Sequence, residues 1–388
     1  MSFLFFKRCL IVFLCIVMFF SSVIINVSAK ENTQNENMKF DCKSAVLMEA
    51  TTGTILYEYN PDLALPPASV TKIMTLLLVM EEIEKGNLKY TDTITTSAYA
   101  ASMGGSQVFL KEGEQMSAED MIKSVVIASA NDAAVALAEH ICGSEQIFVQ
   151  RMNEKARELG MENTYFENTN GLDDTANNHL TSARDIAIMS RELIKHEDIL
   201  KYSSIWMDTI RNGEFGLTNT NRLVRFYQGA TGLKTGSTSK AKFCISATAK
   251  RGNMHLICVI MGAPSSAERN SIATQLLNWG FANFELYQNP AEKLEPIKVT
   301  GGTEDKCHIY TEDFSCVVKK GNASKVEKIY EIPSKVNAPI NNSDEIGRIT
   351  YQYNGEIIGI SSVRSSETIE KIDFWGIFVR ILSKILLK

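Results

Sequence analysis

Ser69 and Lys72 stand three residues apart in "LPPASVTKIMTLLLVMEEIEKG" (65–86), where two prolines give way to an apolar helical pattern. A serine hydroxyl is a weak nucleophile at neutral pH and needs a base within hydrogen-bond reach. Residues i and i+3 share a helix face, so Lys72 can reach Ser69 locally. To act as a base its amine must be neutral part of the time. Burial among Val70, Ile73 and Met74, or a second cation, favours that state. The helix start also offers unpaired N–H groups to a developing oxyanion. The same spacing suits an N-cap serine opening an ordinary core helix, and the pair alone does not choose.

Two further stretches bear on the choice. Ser129-Ala130-Asn131 interrupts an apolar helical run, where a hydroxyl and an amide are costly unless satisfied. Lys234-Thr235-Gly236 precedes the strand "AKFCISATA". A lysine there can anchor a substrate carboxylate, the Thr235 and Thr238 hydroxyls can assist, and Gly236 lets backbone and ligand come close. Ser-x-x-Lys, Ser-Asp-Asn and Lys-Thr-Gly together mark penicillin-binding proteins and class A β-lactamases. All three positions occur here in that order, with alanine at 130 in place of aspartate.

Taken with "LPPASVTKIMT", "ASMGGSQVFL", "IASANDAAVALAEHI", "NTNGLDD", "LTSARDIA" and "GLKTGSTSKAKFC", these motifs give a family resemblance over about 41–287. The chain resembles the low-molecular-mass penicillin-binding proteins, serine-type D-alanyl-D-alanine carboxypeptidases. It is most similar to the sporulation-associated members of spore-forming Gram-positive bacteria. The resemblance implies an acyl-enzyme on Ser69, with Lys72 taking its proton and Ser129 relaying it to the leaving D-alanine. It implies that Asn131 orients the peptide and Lys72, and that Lys234, Thr235 and Thr238 hold the terminal carboxylate. The N–H groups of Ser69 and Ser237 would form the oxyanion hole. The implied substrate is the peptidoglycan stem pentapeptide, β-lactams are covalent inhibitors, and no cofactor is involved.

Two other classes fit parts of this pattern. A β-lactamase on the same fold would keep a deacylating glutamate near Asn168, Asn170 and His179, yet "NTNGLDDTANNHLTSARD" has no Glu-x-x-Leu-Asn arrangement. A non-catalytic wall-binding scaffold would not need Ser69, Lys72 and Lys234 together. Gly104-Gly105 borders the expected cleft, His179 reads as structural, and Arg269 reads as a solvated surface arginine.

The elements that must position these residues are legible from periodicity. "SAVLMEATTGTILYEYN" is a hairpin about Thr52-Gly53. Helices follow from Ser69 to Gly86, on both sides of Ser129-Ala130-Asn131 (with Ser117 as N-cap), over 145–159, and from Ser182 to His196. "AKFCISATAKRGNMHLICVIMGA" gives two apolar strands, and "AERNSIATQLLNWGFANF" a last helix. The fold class is α/β (α+β), a DD-peptidase/β-lactamase-like domain whose antiparallel sheet carries helices on both faces, spanning 41–287. Short alternating segments over 288–370 form a small all-β domain. "KIDFWGIFVRILSKILLK" (371–388) is an amphipathic helix whose Arg380, Lys384 and Lys388 suit an anionic membrane surface.

The N-terminus bounds location. Lys7 and Arg8, an apolar run from Cys9 to Val27 and the ending Val27-Ser28-Ala29 read as an export signal over 1–29, with a polar linker over 30–40. Of 40 Lys and Arg, those two fall in the signal, leaving 38 against 45 Asp and Glu. Such a balance does not suit nucleic acid. Six cysteines remain, without metal-ligand spacing, and the five histidines are scattered, so no metal site is expected. Free thiols are expected at Cys142, Cys244 and Cys258, and a bridge between Cys307 and Cys316 is open. The expected form is a monomer at the outer face of the cell membrane.

Overall fold

The computed structural model describes residues 38–173 and 176–386. The expected export signal and most of the linker lie outside the described residues.

The sheet that carries the site is five-stranded and antiparallel. It consists of β1 (Ser44–Glu49), β2 (Ile55–Tyr59), β3 (Ala230–Thr238), β4 (Lys242–Arg251) and β5 (Met254–Ala263), in the order β2-β1-β5-β4-β3. Strands β1 and β5 carry apolar runs (45–48 and 256–261) because both faces of the sheet are covered. Val46, Met48, Ile257 and Val259 join the helical core on one face. On the other, a side chain at Gly280 would meet Leu47 and Leu256. Gly280 belongs to the long helix Ser266–Asn283, which therefore packs closely on that face.

The helical core holds α1 (Lys72–Glu84), α2 (Ala118–Ile127), α3 (Asn131–Cys142), α4 (Glu145–Glu158) and α5 (Ala183–Leu193). Helix α1 is buried on every side from Lys72 to Met80, the pattern of a central helix. Each of Leu76, Leu77 and Leu78 contributes roughly 2 kcal/mol of burial. Gly86, at φ +76°, follows its end. Ser117 caps α2 by accepting from the Asp120 N–H at 3.1 Å. A break of three residues separates α2 from α3, and Ser129 lies inside it.

Past α6 (Ser266–Asn283) the chain becomes all β. Strands β6 (Phe284–Asn289), β7 (Lys293–Thr300), β8 (Lys306–Thr311), β9 (Phe314–Lys319), β10 (Glu327–Glu331), β11 (Lys335–Asn337), β12 (Glu345–Tyr353) and β13 (Glu356–Ser365) follow. Six of them form a sheet in the order β10-β12-β13-β8-β7-β11, while β6 pairs with β9. Tyr351, fully buried, stacks on Phe314 at 3.8 Å in this module's core. Cys307 and Cys316 are free thiols, as are Cys42, Cys142, Cys244 and Cys258.

Helix α7 (Phe374–Leu386) ends the described chain. Its Arg380, expected at lipid headgroups, donates to Asp305 at 2.9 Å and to the Thr303 carbonyl. The carboxylate and carbonyl of the β7–β8 turn offer the guanidinium a fixed partner. The apolar side faces outward, with Phe374, Trp375 and Ile385 all more than half exposed. Among the described residues no helix is long and apolar enough to cross a membrane.

Candidate active site

Ser69 does not open an α-helix. Ala68–Thr71 form one 3₁₀ turn, and α1 begins at Lys72. In a 3₁₀ turn residues i and i+3 eclipse, which stacks Lys72 over Ser69 more closely than an α-helix would. Lys72 Nζ lies 3.0 Å from Ser69 Oγ. The N-cap role also fails, because neither end of the 3₁₀ turn nor the start of α1 uses a side-chain cap. Ala68, at φ +50°, is held in a left-handed conformation just ahead of the serine. Such strain persists only where surroundings fix it.

Lys72 is wholly buried. Its amine has two further partners, Asn131 Oδ1 at 2.6 Å and the Asn170 carbonyl at 2.8 Å. Neither partner carries a charge. Burial holds this amine well below the usual lysine value, the nearby Lys234 cation pushes it the same way, and Asp132 opposes both. Asp132 makes no ion pair with Lys72; its oxygens accept from the N–H groups of Val108, Leu110 and Ala133.

The break between α2 and α3 delivers Asn131. Its amide orientation is fixed, because Nδ2 donates to the Gly104 carbonyl at 2.7 Å and so turns Oδ1 to Lys72. Gly105 lies against the same amide; a Cβ there would sit 2.8 Å from Asn131 Nδ2. The "ASMGGSQ" loop therefore borders the site. Ser129 is 3% exposed with φ +64°. It shares this corner without a hydrogen bond to Ser69 or Lys72.

The edge strand β3 supplies the opposite wall. A Cβ at Gly236 would lie 2.8 Å from the Pro67 carbonyl and 2.9 Å from the Ser69 nitrogen. Only glycine permits this approach, which brings Lys234 and Thr235 alongside the serine. Lys234 is 1% exposed and donates to the Thr235 carbonyl at 3.0 Å. Burial, then Arg269, lowers it to about 7. Lys234 in turn pushes Lys72 downward. Thr235 Oγ1 donates to Thr220 Oγ1 at 2.8 Å. Ser237 is exposed, and Thr238 Oγ1 accepts from the Ala241 N–H at the β3–β4 turn, its own hydrogen remaining available to donate.

Arg269 departs from expectation. It is 5% exposed and lies over β4, donating to the Cys244 carbonyl at 3.4 Å. Burial lowers it to about 10, and it adds positive potential beside Lys234.

The loop 167–173 forms the remaining wall. Gly171, at φ +84°, packs so tightly that a Cβ would fall 1.8 Å from the Ala68 carbonyl oxygen. His179 is structural, as expected. Its Nδ1 accepts from the Glu167 N–H at 3.0 Å, so Nε2 carries the proton toward Thr71 Oγ1 at 2.7 Å. Burial lowers it to about 4, leaving it neutral. Glu167 turns its carboxylate onto the Asn177 and Asn178 N–H groups. Asn168 braces the loop by accepting from the Gly171 N–H at 2.7 Å. Asp132, Thr220 and Gly171 escaped the sequence reading. Adjacency to a motif was the one signal for Asp132 and Gly171, and Thr220, 14 residues before Lys234, had none.

A buried lysine beside a serine, with a second buried lysine across a narrow strand contact, is built for acyl transfer to carboxylate-ended substrates. The family model for D-alanyl-D-alanine carboxypeptidase (Peptidase_S11) matches residues 29–265. The chain belongs to that family. A second model, the C-terminal domain of penicillin-binding protein 5, matches residues 281–371. This carboxypeptidase is 42% identical to D-alanyl-D-alanine carboxypeptidase DacF of Bacillus subtilis strain 168, over 89% of this chain and 90% of that one. It resembles the crystal structure of penicillin-binding protein 5 from Haemophilus influenzae, with TM-score 0.77 and 32% identity over 86% of this chain and 99% of that one. It also resembles ampicillin-bound penicillin-binding protein D2 from Listeria monocytogenes, with TM-score 0.58 and 29% identity over 63% and 99% of the two chains. It is thus a serine-type hydrolase with an α/β catalytic domain and a β-rich C-terminal domain.

Proposed function

We propose that this enzyme removes the terminal D-alanine from peptidoglycan stem pentapeptides through an acyl-enzyme on Ser69. One observation carries the reading: the buried Lys72 amine lies 3.0 Å from Ser69 Oγ and has two fixed neutral acceptors as its other partners. A neutral amine has two N–H bonds and one lone pair. Asn131 Oδ1 and the Asn170 carbonyl take the N–H bonds, so the lone pair faces the serine hydroxyl. As Oγ attacks the scissile carbonyl, its proton moves to Lys72. The Oγ–carbon bond forms, the C–N bond breaks, and the proton passes through Ser129 to the departing D-alanine. Water then cleaves the ester and restores Ser69.

The N–H groups of Ser69 and Ser237 hold the oxyanion. Lys234, with Thr235 and Thr238, holds the terminal carboxylate, and the incoming negative charge favours its protonated form against burial. Asn131 orients the peptide as well as Lys72. β-Lactams acylate the same serine, a reading that the ampicillin-bound relative supports.

The enzyme works outside the cytoplasm as a monomer. Residues 1–29 are its export signal, 30–40 a linker, 41–287 the catalytic domain and 288–370 the β domain. The segment 371–388 rests in the membrane surface through the outward apolar side of α7. A role in sporulation follows from the motif resemblance alone. Mass spectrometry after penicillin exposure tests the core of the reading. Wild-type protein gains one penicillin adduct and releases D-alanine from a pentapeptide, and Ser69→Ala does neither while remaining folded. An adduct on Ser69→Ala would overturn it.

A further inference from the structure

We propose that Glu145 is a positioning residue that ties together the two backbone segments orienting Lys72 and Asn131, an inference that rests on Lys72 acting as the base. Glu145 is the first residue of α4, and both of its carboxylate oxygens are engaged outside that helix. Oε1 accepts from the Thr169 N–H at 2.9 Å and from Thr169 Oγ1 at 2.7 Å. Oε2 accepts from the Tyr99 hydroxyl at 2.8 Å.

Each side of this tie leads to one partner of the catalytic pair. Thr169 is fully buried, its carbonyl accepts from Thr75 Oγ1 at 2.6 Å, and the next carbonyl along, that of Asn170, is the acceptor for Lys72. Tyr99 lies in the short helix Ala98–Ala101, ahead of Gly104, whose carbonyl turns the Asn131 amide. One carboxylate thus spans the loop that supplies the Asn170 carbonyl and the loop that orients the Asn131 amide. A cavity of about 640 Å³ bordered by Tyr99, Glu139, Glu145 and Tyr165 lies beside the tie. Water from there competes for the Thr169 donors once the carboxylate is gone.

The plainer alternative is that Glu145 only stabilises α4, since an acidic residue in the first turn complements the helix dipole. Paired variants separate the two. Glu145→Asp keeps charge and helix preference but withdraws the oxygens by about one bond length, whereas Glu145→Gln keeps reach and loses charge. A positioning role slows acylation in Glu145→Asp and spares Glu145→Gln; a dipole role lowers the stability of Glu145→Gln and leaves acylation in both variants unchanged.

The measurement is stopped-flow acylation by a fluorescent penicillin, resolving the acylation rate constant from the dissociation constant that precedes it. Glu145→Asp and Glu145→Ala should lower the rate constant about tenfold or more, because a misplacement of about 1 Å can cost as much as 10²-fold. Their dissociation constant should hold, since the carboxylate-binding wall on β3 is untouched. Glu145→Gln should stay within about threefold of wild type. Wild-type acylation in Glu145→Asp, or a slow Glu145→Gln beside it, overturns the proposal while leaving Lys72 in its role. A Lys72→Ala control that still acylates at the wild-type rate would instead remove the reading on which it stands.

Discussion

Gly171→Ala is a severe test, because it adds one methyl group to a residue that performs no chemistry. The new Cβ would lie 1.8 Å from the Ala68 carbonyl oxygen and 2.3 Å from its carbon, and real Cβ contacts essentially never fall below 3.0 Å. The gap must therefore open by at least 3.0 − 1.8 = 1.2 Å. If the loop yields, Asn170 moves with it, and its carbonyl leaves the 2.8 Å contact with Lys72 for a separation beyond hydrogen-bond range. If Ala68 yields, Ser69 moves, being bonded to it. Either way nucleophile and base lose register, and a shift of about 1 Å is worth roughly 10²-fold in rate. The φ of +84° adds about 1 kcal/mol of backbone strain for any side chain.

Expected for Gly171→Ala is an acylation rate constant lower by about 10²-fold and a modest loss of thermal stability. Gly86→Ala is the matched control. It shares a positive φ of +76°, but nothing lies within 4 Å of its Cβ, so it should lose about 1 kcal/mol of stability with unchanged acylation. A Gly171→Ala enzyme that acylates normally would refute the claim that this loop sets the position of Lys72.

Three further outcomes are expected. Lys234→Met should raise stability at pH 7 while weakening binding of D-alanyl-D-alanine peptides. Lowering Lys234 from 10.5 to about 7 corresponds to a ceiling of about 5 kcal/mol, and losing the Thr235 contact returns about 1 kcal/mol. The sign is fixed by linkage: between those two pKa values the unfolded chain binds more protons, so the wild-type penalty is full below about 7 and fades toward 10.5. Denaturant melts at pH 7 and pH 10 check that the advantage shrinks. Asn131→Asp should abolish acylation at neutral pH, because a carboxylate 2.6 Å from the amine would hold Lys72 as the ammonium ion; its acylation pH profile should move upward. Removing α7 should leave carboxypeptidase activity intact and end sedimentation with anionic vesicles, whereas equal sedimentation of both forms would reject membrane docking through that helix.

The sequence revealed the motifs more readily than their surroundings, for physical reasons. Ser69–Lys72 was visible because i, i+3 proximity is local, but that spacing looks alike in α and 3₁₀ geometry, so the turn that eclipses the pair was not. Strands β4 and β5 were plain because burial on both faces leaves continuous apolar runs. Arg269 was misjudged as solvated, since its sequence neighbours are polar and its burial comes from packing over β4. For Arg380 a helical wheel shows its side of the helix but not the Asp305 carboxylate 75 residues away that receives it. The Asn170 carbonyl was beyond reach altogether. Any residue type can offer a backbone oxygen, and only a contact spanning 98 residues makes this one matter.

The pattern of acceptors around Lys72 explains why so buried a lysine can serve as a base. A buried amine usually finds a carboxylate, and the pair then holds the proton firmly. Here a nearby acid, Asp132, accepts from three backbone N–H groups, so its charge supports the loop at 108–110 instead of closing on the amine. The acceptors that do touch Lys72 are an amide and a peptide carbonyl, strong enough to orient two N–H bonds but too weak to demand a third. Burial and the Lys234 cation then decide the protonation state. The same Lys234 cation awaits the substrate carboxylate, so charge placed for recognition also keeps the neighbouring base ready for the serine proton.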